Sequence, residues 1–251
     1  MVSDMSEGSY SLKGVRLGVL ACAATFALLF SSSIRAQQEP TEVDTAIIVS
    51  VDVSSSVDQR RYQLQMDGIA AALEDPEVLN AVLGGPKGSI LFSLVTWGDK
   101  SKLTVPWTFI SNKQEAVALA TKVRTLPQDT GEFTCLARML RYVADKVVAR
   151  MPAKTNKLVV DVSGDGPDNC NTGTLIDAAK SDLFGAGATI NGLPILEGAD
   201  AATIEDWYRH NVIGGPGAFL MTAQGYDDIA RAFRQKFVVE VSANWSDKAL
   251  R

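Results

Sequence analysis

Two kinds of apolar segment alternate along this chain, and that alternation restricts the folds open to it. Short β-branched runs are typical of strands buried on both faces. Between them lie longer segments with apolar residues every three or four positions, the spacing of amphipathic helices. This order predicts an α/β fold: a single Rossmann-like doubly wound domain, with a mostly parallel central sheet and helices on both faces. The predicted strands cover residues 46–51, 89–96, 103–109, 158–162, 188–196 and 218–222.

One pair of strands departs from the parallel arrangement. A turn signal at residues 97–100 separates the second predicted strand from the third, so these two strands form a hairpin. Pro106 lies in the third strand, and proline is tolerated in a sheet only at an edge. We therefore expect an antiparallel hairpin at the sheet edge. The predicted helices cover residues 57–73, 113–123, 134–148, 173–184, 201–208 and 226–239.

The first 36 residues have the order of a secretory signal peptide. Lys13 and Arg16 precede an apolar stretch at residues 17–30, and a site of small residues follows, ending at Ala36. The apolar stretch is short for a membrane span, which needs about 20 residues. We expect cleavage after Ala36 and a protein that is periplasmic or secreted, with no transmembrane anchor in the mature chain. A lipoprotein leader, modified at Cys22, is the alternative.

The mature chain would consist of one domain at residues 37–242 and a C-terminal tail at 243–251. Removing the leader takes away three basic and two acidic residues, leaving 21 basic and 27 acidic side chains and a net charge of −6. The sequence contains no basic stripe, so we expect no nucleic-acid partner. Two cysteines remain, Cys135 and Cys170, and an even count in an oxidising compartment suggests one disulfide. Two separate buried thiols are the alternative.

A cluster of small oxygen-bearing side chains follows the first predicted strand. Asp52, Ser54 and Ser56 come at alternate positions directly after the apolar run 46–51. A carboxylate and two hydroxyls on one loop suit a hard cation, Mg²⁺ or Mn²⁺, better than zinc. The alternative is a helix cap, since Ser and Asp are the preferred residues there.

Two further loops are expected at the same edge of the sheet, because ligands of open α/β sheets bind beyond the carboxyl ends of the strands. The first loop, 130–134, precedes a predicted helix, and the second, 163–169, follows a buried strand. The first offers Thr130 and Thr134 as candidates, and we prefer Thr134 because it opens the predicted helix. The second offers Asp165, set between two glycines.

This set of residues resembles the metal-ion-dependent adhesion site of von Willebrand factor type A domains. That family combines an Asp-x-Ser-x-Ser loop with a separate threonine and a later aspartate. The stretches 161–166 and 211–217 also resemble a bacterial family of secreted type A-like proteins known only as a domain of unknown function. The matching positions in this sequence are Asp52, Ser54, Ser56, Thr134 and Asp165.

The resemblance implies a role for each residue. Ser54 and Ser56 would bind Mg²⁺ directly, and the two aspartates would act through water or orient the hydroxyls. Thr134 would bind when a ligand is present. The metal would then lack anionic neutralisation, so the implied partner is a protein or other ligand with a carboxylate or another oxyanion, bound without catalysis. A Cys135–Cys170 disulfide would tie two of the metal loops together.

Two other functions compete with this interpretation. Asp52 followed by Gly164-Asp165-Gly166 also resembles the haloacid-dehalogenase phosphatases, in which a second aspartate acts as acid and base. Ser54 occupies that position here, and a hydroxyl cannot transfer the proton near neutral pH. The other alternative is a metal-free interaction scaffold.

Four remaining residues are expected to be structural. Asp161 lies inside an apolar strand and needs a buried hydrogen-bond partner. Asp168 and Asn169 are expected to be turn residues or to lie at the rim of a pocket. The single histidine, His210, is expected at the surface end of a helix, which argues against a serine–histidine hydrolase.

Overall fold

The computed structural model describes residues 41–170 and 175–242. The predicted signal peptide with its cleavage site, the cysteine of the alternative lipoprotein leader and the predicted tail at 243–251 lie outside the described residues. Within them, no helix is long and apolar enough to cross a membrane.

The described chain forms one central sheet of five strands, in the order β3-β2-β1-β4-β5. β1 pairs in parallel with β2 and β4, β4 pairs in parallel with β5, and only β2 and β3 are antiparallel. The predicted mostly parallel sheet is confirmed, and Pro106 lies in the edge strand β3 as expected. The strands are β1 Thr45–Asp52, β2 Ile90–Trp97, β3 Ser101–Ile110, β4 Leu158–Gly164 and β5 Ala188–Pro194.

Helices cover both faces of this sheet, because β1 points alternate side chains into two separate cores. Ile47, Val49 and Val51 pack with the helices α1, α2, α3 and α7, whereas Ala46 and Ile48 pack with α4, α5 and α6. The helices are α1 Gln59–Glu74, α2 Pro76–Leu83, α3 Lys113–Arg124, α4 Leu136–Tyr142, α5 Ile176–Gly185, α6 Ile204–Asn211 and α7 Ile229–Ser242.

Helix α2 has no counterpart in the sequence prediction. Asp75 caps it by accepting hydrogen bonds from the backbone N–H groups of Glu77 and Val78, and Pro76 occupies its first turn. Asp followed by Pro is a helix-start signal.

Two predicted elements differ from the structure. The segment 218–222 forms one isolated bridge with β5, Gly192 to Leu220, rather than a sixth strand, and the Asn191 side chain accepts the backbone N–H of Phe219 at 3.1 Å. The predicted helix 134–148 begins at Leu136 as α4, and after Tyr142 it continues as a π turn and a 3₁₀ turn. Thr134 therefore does not open the helix.

Candidate metal site

Asp52 is the last residue of β1 and shapes the loop that follows it. Its carboxylate is fully buried, and Oδ1 accepts a 2.8 Å hydrogen bond from the backbone N–H of Ser54. Helix α1 is capped by Asp58, which accepts from the backbone N–H of Arg61 at 2.8 Å. The alternative that Asp52, Ser54 and Ser56 serve as the helix cap is therefore wrong.

The hydroxyls of this loop connect it to the loop after β4. Ser56 Oγ donates to Asp165 Oδ1 at 2.7 Å and lies 3.2 Å from Ser54 Oγ. Because the Ser56 proton goes to Asp165, Ser56 accepts from Ser54. This order directs both protons along the chain of hydroxyls and leaves each oxygen with a lone pair for a cation. The contact follows from the parallel pairing of β1 with β4, which sets Val51 opposite Ser163.

The second carboxylate oxygen of Asp52 differs from the first. Oδ2 is buried and has no hydrogen-bond partner among the described residues. Burial, reinforced by the nearby charge of Asp165, raises the pKa of Asp52 to about 7, although the hydrogen bond from Ser54 opposes the shift. An unpaired buried oxygen beside a second carboxylate is the environment in which a bound cation relieves an electrostatic cost.

Gly164 makes room for this arrangement. A Cβ at this position would lie 2.9 Å from Asp52 Oδ2 and 2.8 Å from the hydroxyl oxygen of Tyr208. Both distances are shorter than real Cβ contacts, so a side chain would displace the carboxylate.

Thr134 reaches the same place by pairing with the loop after β4. Its backbone N–H donates to Asn169 Oδ1 at 2.8 Å, and its carbonyl accepts from the Asn169 N–H at 3.0 Å. This pairing engages the Thr134 carbonyl, which would accept from residue 138 in a longer helix, and α4 begins two residues later. Thr134 is buried, whereas the competing candidate Thr130 is exposed.

The loops that carry Thr134 and Asp165 are also joined covalently. Cys135 and Cys170 form a disulfide with a Cα–Cα distance of 4.9 Å. Asp168 accepts from the backbone N–H groups of Cys170 at 3.2 Å and Ala137 at 3.3 Å, so it supports the start of α4. The structure thus places Asp168 and Asn169 in loop-stabilising roles.

These residues line an open pocket of about 360 Å³ at the carboxyl edge of the sheet. Ser54, Ser56, Thr134, Asp165 and Asn169 all contribute to its wall. Asp52 is not among the lining residues and lies buried beneath them.

Sequence reasoning missed three residues that hold Asp165. Tyr226 donates its hydroxyl proton to Asp165 Oδ2 at 3.1 Å, and Arg61 Nη1 lies 4.0 Å from the same oxygen. Glu197 fixes both partners, accepting from Arg61 Nη2 at 2.9 Å and from the Tyr226 backbone N–H at 3.0 Å. Burial, followed by the charge of Asp165, raises the pKa of Tyr226, so its hydroxyl stays a donor. Glu197 follows β5 and could have been found by the strand-end rule; Tyr226 carries no such signal.

The donor set can be compared with the requirements of different metals. Among the described residues, no three His, Cys, Asp or Glu side chains converge to hold an ion. The candidate site instead offers two carboxylates and three hydroxyls. Such a set fits a hard divalent cation that keeps several waters, and it lacks the nitrogen and sulfur ligands of structural zinc centres.

A family model described as "Protein of unknown function (DUF1194)" matches residues 42–245. The chain belongs to this family. Among curated proteins, none matches this chain.

Solved structures show the fold of this family member to be that of a von Willebrand factor type A domain. Proximal thread matrix protein 1 from the mussel byssus is 17% identical, with a TM-score of 0.58 over 80% of this chain and 48% of that chain. Another structure of that protein, 16% identical with the same TM-score and coverage, is described as having a zinc-occupied MIDAS motif, the metal-ion-dependent adhesion site.

Two bacterial structures have the same fold. A von Willebrand factor type A protein from Catenulispora acidiphila is 15% identical, with a TM-score of 0.56 over 79% of this chain and 43% of that one. The pilus adhesin SpaC from Lactobacillus rhamnosus GG is 14% identical, with a TM-score of 0.53 over 82% of this chain and 31% of that one. This chain therefore spans less than half the length of the solved chains it resembles.

Proposed function

We propose that this protein is a metal-dependent binding module that recognises an acidic group on a protein or another ligand. One observation carries the proposal: the buried, unpartnered Oδ2 of Asp52 lies beneath a chain of hydroxyls that lines an open pocket. The cation would be Mg²⁺, with Mn²⁺ as a substitute. Ser54 and Ser56 would bind it directly, while Asp52 and Asp165 would act through water or by orienting the hydroxyls.

The ligand preference follows from the charge of such a centre. Hydroxyl ligands neutralise none of the cation charge, and the two oxygens of Asp165 already accept from Ser56 and Tyr226. A carboxylate or other oxyanion in the pocket would supply the missing negative charge. Thr134, in the pocket wall, would complete the coordination when the ligand is bound.

Several observations support binding rather than catalysis. A phosphatase nucleophile must contact its substrate, but Asp52 lies beneath the pocket wall. Ser54 stands where such an enzyme needs an acid and base. The similar folds belong to a byssus matrix protein and a pilus adhesin. Together with the disulfide and the leader-like N-terminus, these similarities support a secreted or periplasmic location.

Titration of the purified protein with Mg²⁺ and Mn²⁺ tests the metal site. We expect one binding site, and at 100 times Kd a stabilisation of about 2.7 kcal/mol. Asp52→Asn should abolish both. Asp58→Asn is the matched control, because it makes the same change six residues away and asparagine caps helix α1 as well as aspartate does. Equal heat with wild type and Asp52→Asn would contradict the site.

A random peptide library tests the ligand class. Peptides retained in Mg²⁺ and eluted with EDTA should be enriched in Asp and Glu, and the Asp52→Asn protein should retain none of them. Retention that survives EDTA would support the metal-free scaffold, and enrichment without acidic residues would contradict the acidic ligand.

A further inference from the structure

A second group of buried ionisable side chains lies between α7 and the sheet, away from the pocket. Lys236 is fully buried, and its Nζ lies 2.5 Å from Asp161 Oδ1 on β4 and 2.5 Å from Glu240 Oε1, one turn further along α7. Both carboxylates are at most 2% exposed. An amine and a carboxyl group are thus held in contact inside an apolar core.

The surroundings exclude water and fix the reacting groups. The ring of Phe219 lies 4.6 Å from Lys236 Nζ, and Phe233 and Phe237 are buried on the same helix. Asn191 donates to Glu240 Oε1 at 2.6 Å, while the Phe219 backbone N–H holds the Asn191 carbonyl. Groups positioned in this way react as if at very high concentration.

Two oxygen atoms in the cluster, Asp161 Oδ2 and Glu240 Oε2, receive no N–H or O–H donor from the other described residues, and the two side chains hydrogen-bond to each other when one of them is protonated. This contact suits a reaction in which a carboxyl oxygen of Asp161 leaves and Glu240 carries protons.

We propose that Lys236 and Asp161 form an intramolecular isopeptide bond between Nζ and Cγ, with Glu240 carrying protons. The protonation pattern suits this reaction. Burial, followed by the neighbouring Glu240, raises the pKa of Asp161 well above its usual range, which favours the neutral acid whose carbonyl an amine can attack. Burial alone would lower the pKa of Lys236, but Asp161 and Glu240 together raise it, so the amine needs a base.

The three side chains supply every atom and proton that the reaction needs. The Glu240 carboxylate takes one proton from the ammonium, and the neutral Nζ attacks Asp161 Cγ to form the C–N bond. Glu240 passes a proton to the departing hydroxyl as the C–O bond breaks and water leaves, and it then accepts the remaining amine proton. The products are an amide, a protonated Glu240 and one water, and no oxidant or metal takes part. The buried groups, one ammonium and one carboxylate before the reaction, are all neutral after it, which removes their desolvation cost.

Peptide mapping of the purified protein tests the bond directly. After reduction, denaturation and trypsin digestion, we expect a branched peptide joining residues 158–180 to residues 235–248, about 18 Da lighter than the sum of the two. Cleavage after Lys236 should be blocked. Linear peptides ending at Lys236, with no branched product, would overturn the proposal. Loss of water within 235–248 alone would overturn the choice of Asp161, since it would join Lys236 to Glu240.

Two variants separate the roles of the three residues. Lys236→Arg keeps the positive charge but cannot form the amide, so no branched peptide is expected, and a branched product there would overturn the assignment. Glu240→Gln keeps a hydrogen-bond acceptor without a base, and we expect at least a tenfold lower yield of branched peptide. A wild-type yield in Glu240→Gln would overturn the proton-carrying role.

Discussion

The protein buries acidic side chains at two places, one within β4 and one at the carboxyl ends of β1 and β4. The acidic side chains at these two places have different partners. Asp161, within β4, meets an amine from its own chain, Lys236. Asp165, directly after β4, and its neighbour Asp52 meet hydroxyls and an open pocket instead. A buried carboxylate needs a positive partner or a proton. Lys236 contacts both acidic side chains of its cluster, which is closed. At the pocket the positive side chain of Arg61 approaches Asp165 only to 4.0 Å, and Asp52 Oδ2 has no hydrogen-bond partner among the described residues, so the geometry supports an external cation there.

The largest expected effect comes from removing the internal cation. Lys236→Met should lower the free energy of unfolding by about 3–5 kcal/mol, because it removes both the proposed amide and the amine that contacts the buried Asp161 and Glu240. Urea unfolding measures this effect, with Lys122→Met on the exposed face of α3 as a control. A loss below about 1 kcal/mol would show that the closed cluster does not depend on its amine, and the contrast with the pocket would fail.

The disulfide should affect the open site without affecting the closed one. Replacing Cys135 and Cys170 together by serine should lower the free energy of unfolding by about 2–4 kcal/mol. It should also weaken Mg²⁺ binding, since the loops carrying Thr134 and Asp165 are no longer tied. Unfolding and metal titration of the double variant check both effects, and peptide mapping should show the closed cluster unchanged. Unchanged metal affinity would mean that the bridge serves folding alone.

A rise in pH should lower the stability of the metal-free protein and should strengthen its binding of Mg²⁺. The pKa of Asp52 is raised from 3.8 to about 7 in the folded protein. In EDTA the folded state therefore binds the extra proton, so its contribution to stability is complete below about pH 4 and is lost as pH rises to 7, by up to about 1.4 kcal/mol per unit. Mg²⁺ needs the ionised form, so its affinity should fall about tenfold per pH unit below 7.

Asp52→Asn is the reference for both pH dependences. Subtracting the variant's unfolding free energy or Mg²⁺ affinity from that of wild type removes the contribution of every other titrating group. The measurements are urea unfolding in EDTA and Mg²⁺ titration, each from pH 5 to 8. Parallel curves for wild type and variant would place the titration elsewhere.

The smallest expected effect concerns Arg61, the positive side chain 4.0 Å from Asp165. It is partly exposed, so Arg61→Gln should change stability by less than about 1 kcal/mol. Removing its charge should strengthen Mg²⁺ binding about twofold to fivefold, since two cations near one carboxylate repel each other. Arg60→Gln, at the exposed neighbouring position, should change neither. Loss of Mg²⁺ binding in Arg61→Gln would contradict this view of Arg61 as a competitor.

The sequence was sufficient to predict those contacts of the candidate site that follow from the pairing of parallel strands. Asp52, Ser56 and Asp165 meet because β1 and β4 are adjacent and end at the same edge, a rule that needs no side-chain detail. Thr134 was selected for the wrong reason, since a pairing with Asn169 replaces the expected helix start. That pairing joins two loops 35 residues apart, and no local pattern reveals it.

The partners of the buried acids were harder to predict. The expectation that Asp161 has a buried hydrogen-bond partner is confirmed, but that partner lies 75 residues along the chain. A signal did exist: Lys236 and Glu240 lie on the same stripe of α7 as Phe233 and Phe237, where charged residues are out of place. Tyr226 had no comparable signal, because a single short turn brings it to Asp165.

The two acidic positions of the β4 region also constrain its length. Asp161 and Asp165 are four residues apart, and side chains alternate between the faces of a strand. Inserting or deleting one residue at 162–164 would turn one carboxylate to the opposite side while leaving the other in place. Among variants of this fold, length changes should therefore collect in the surface loops, while the number of residues between Asp161 and Asp165 should stay fixed.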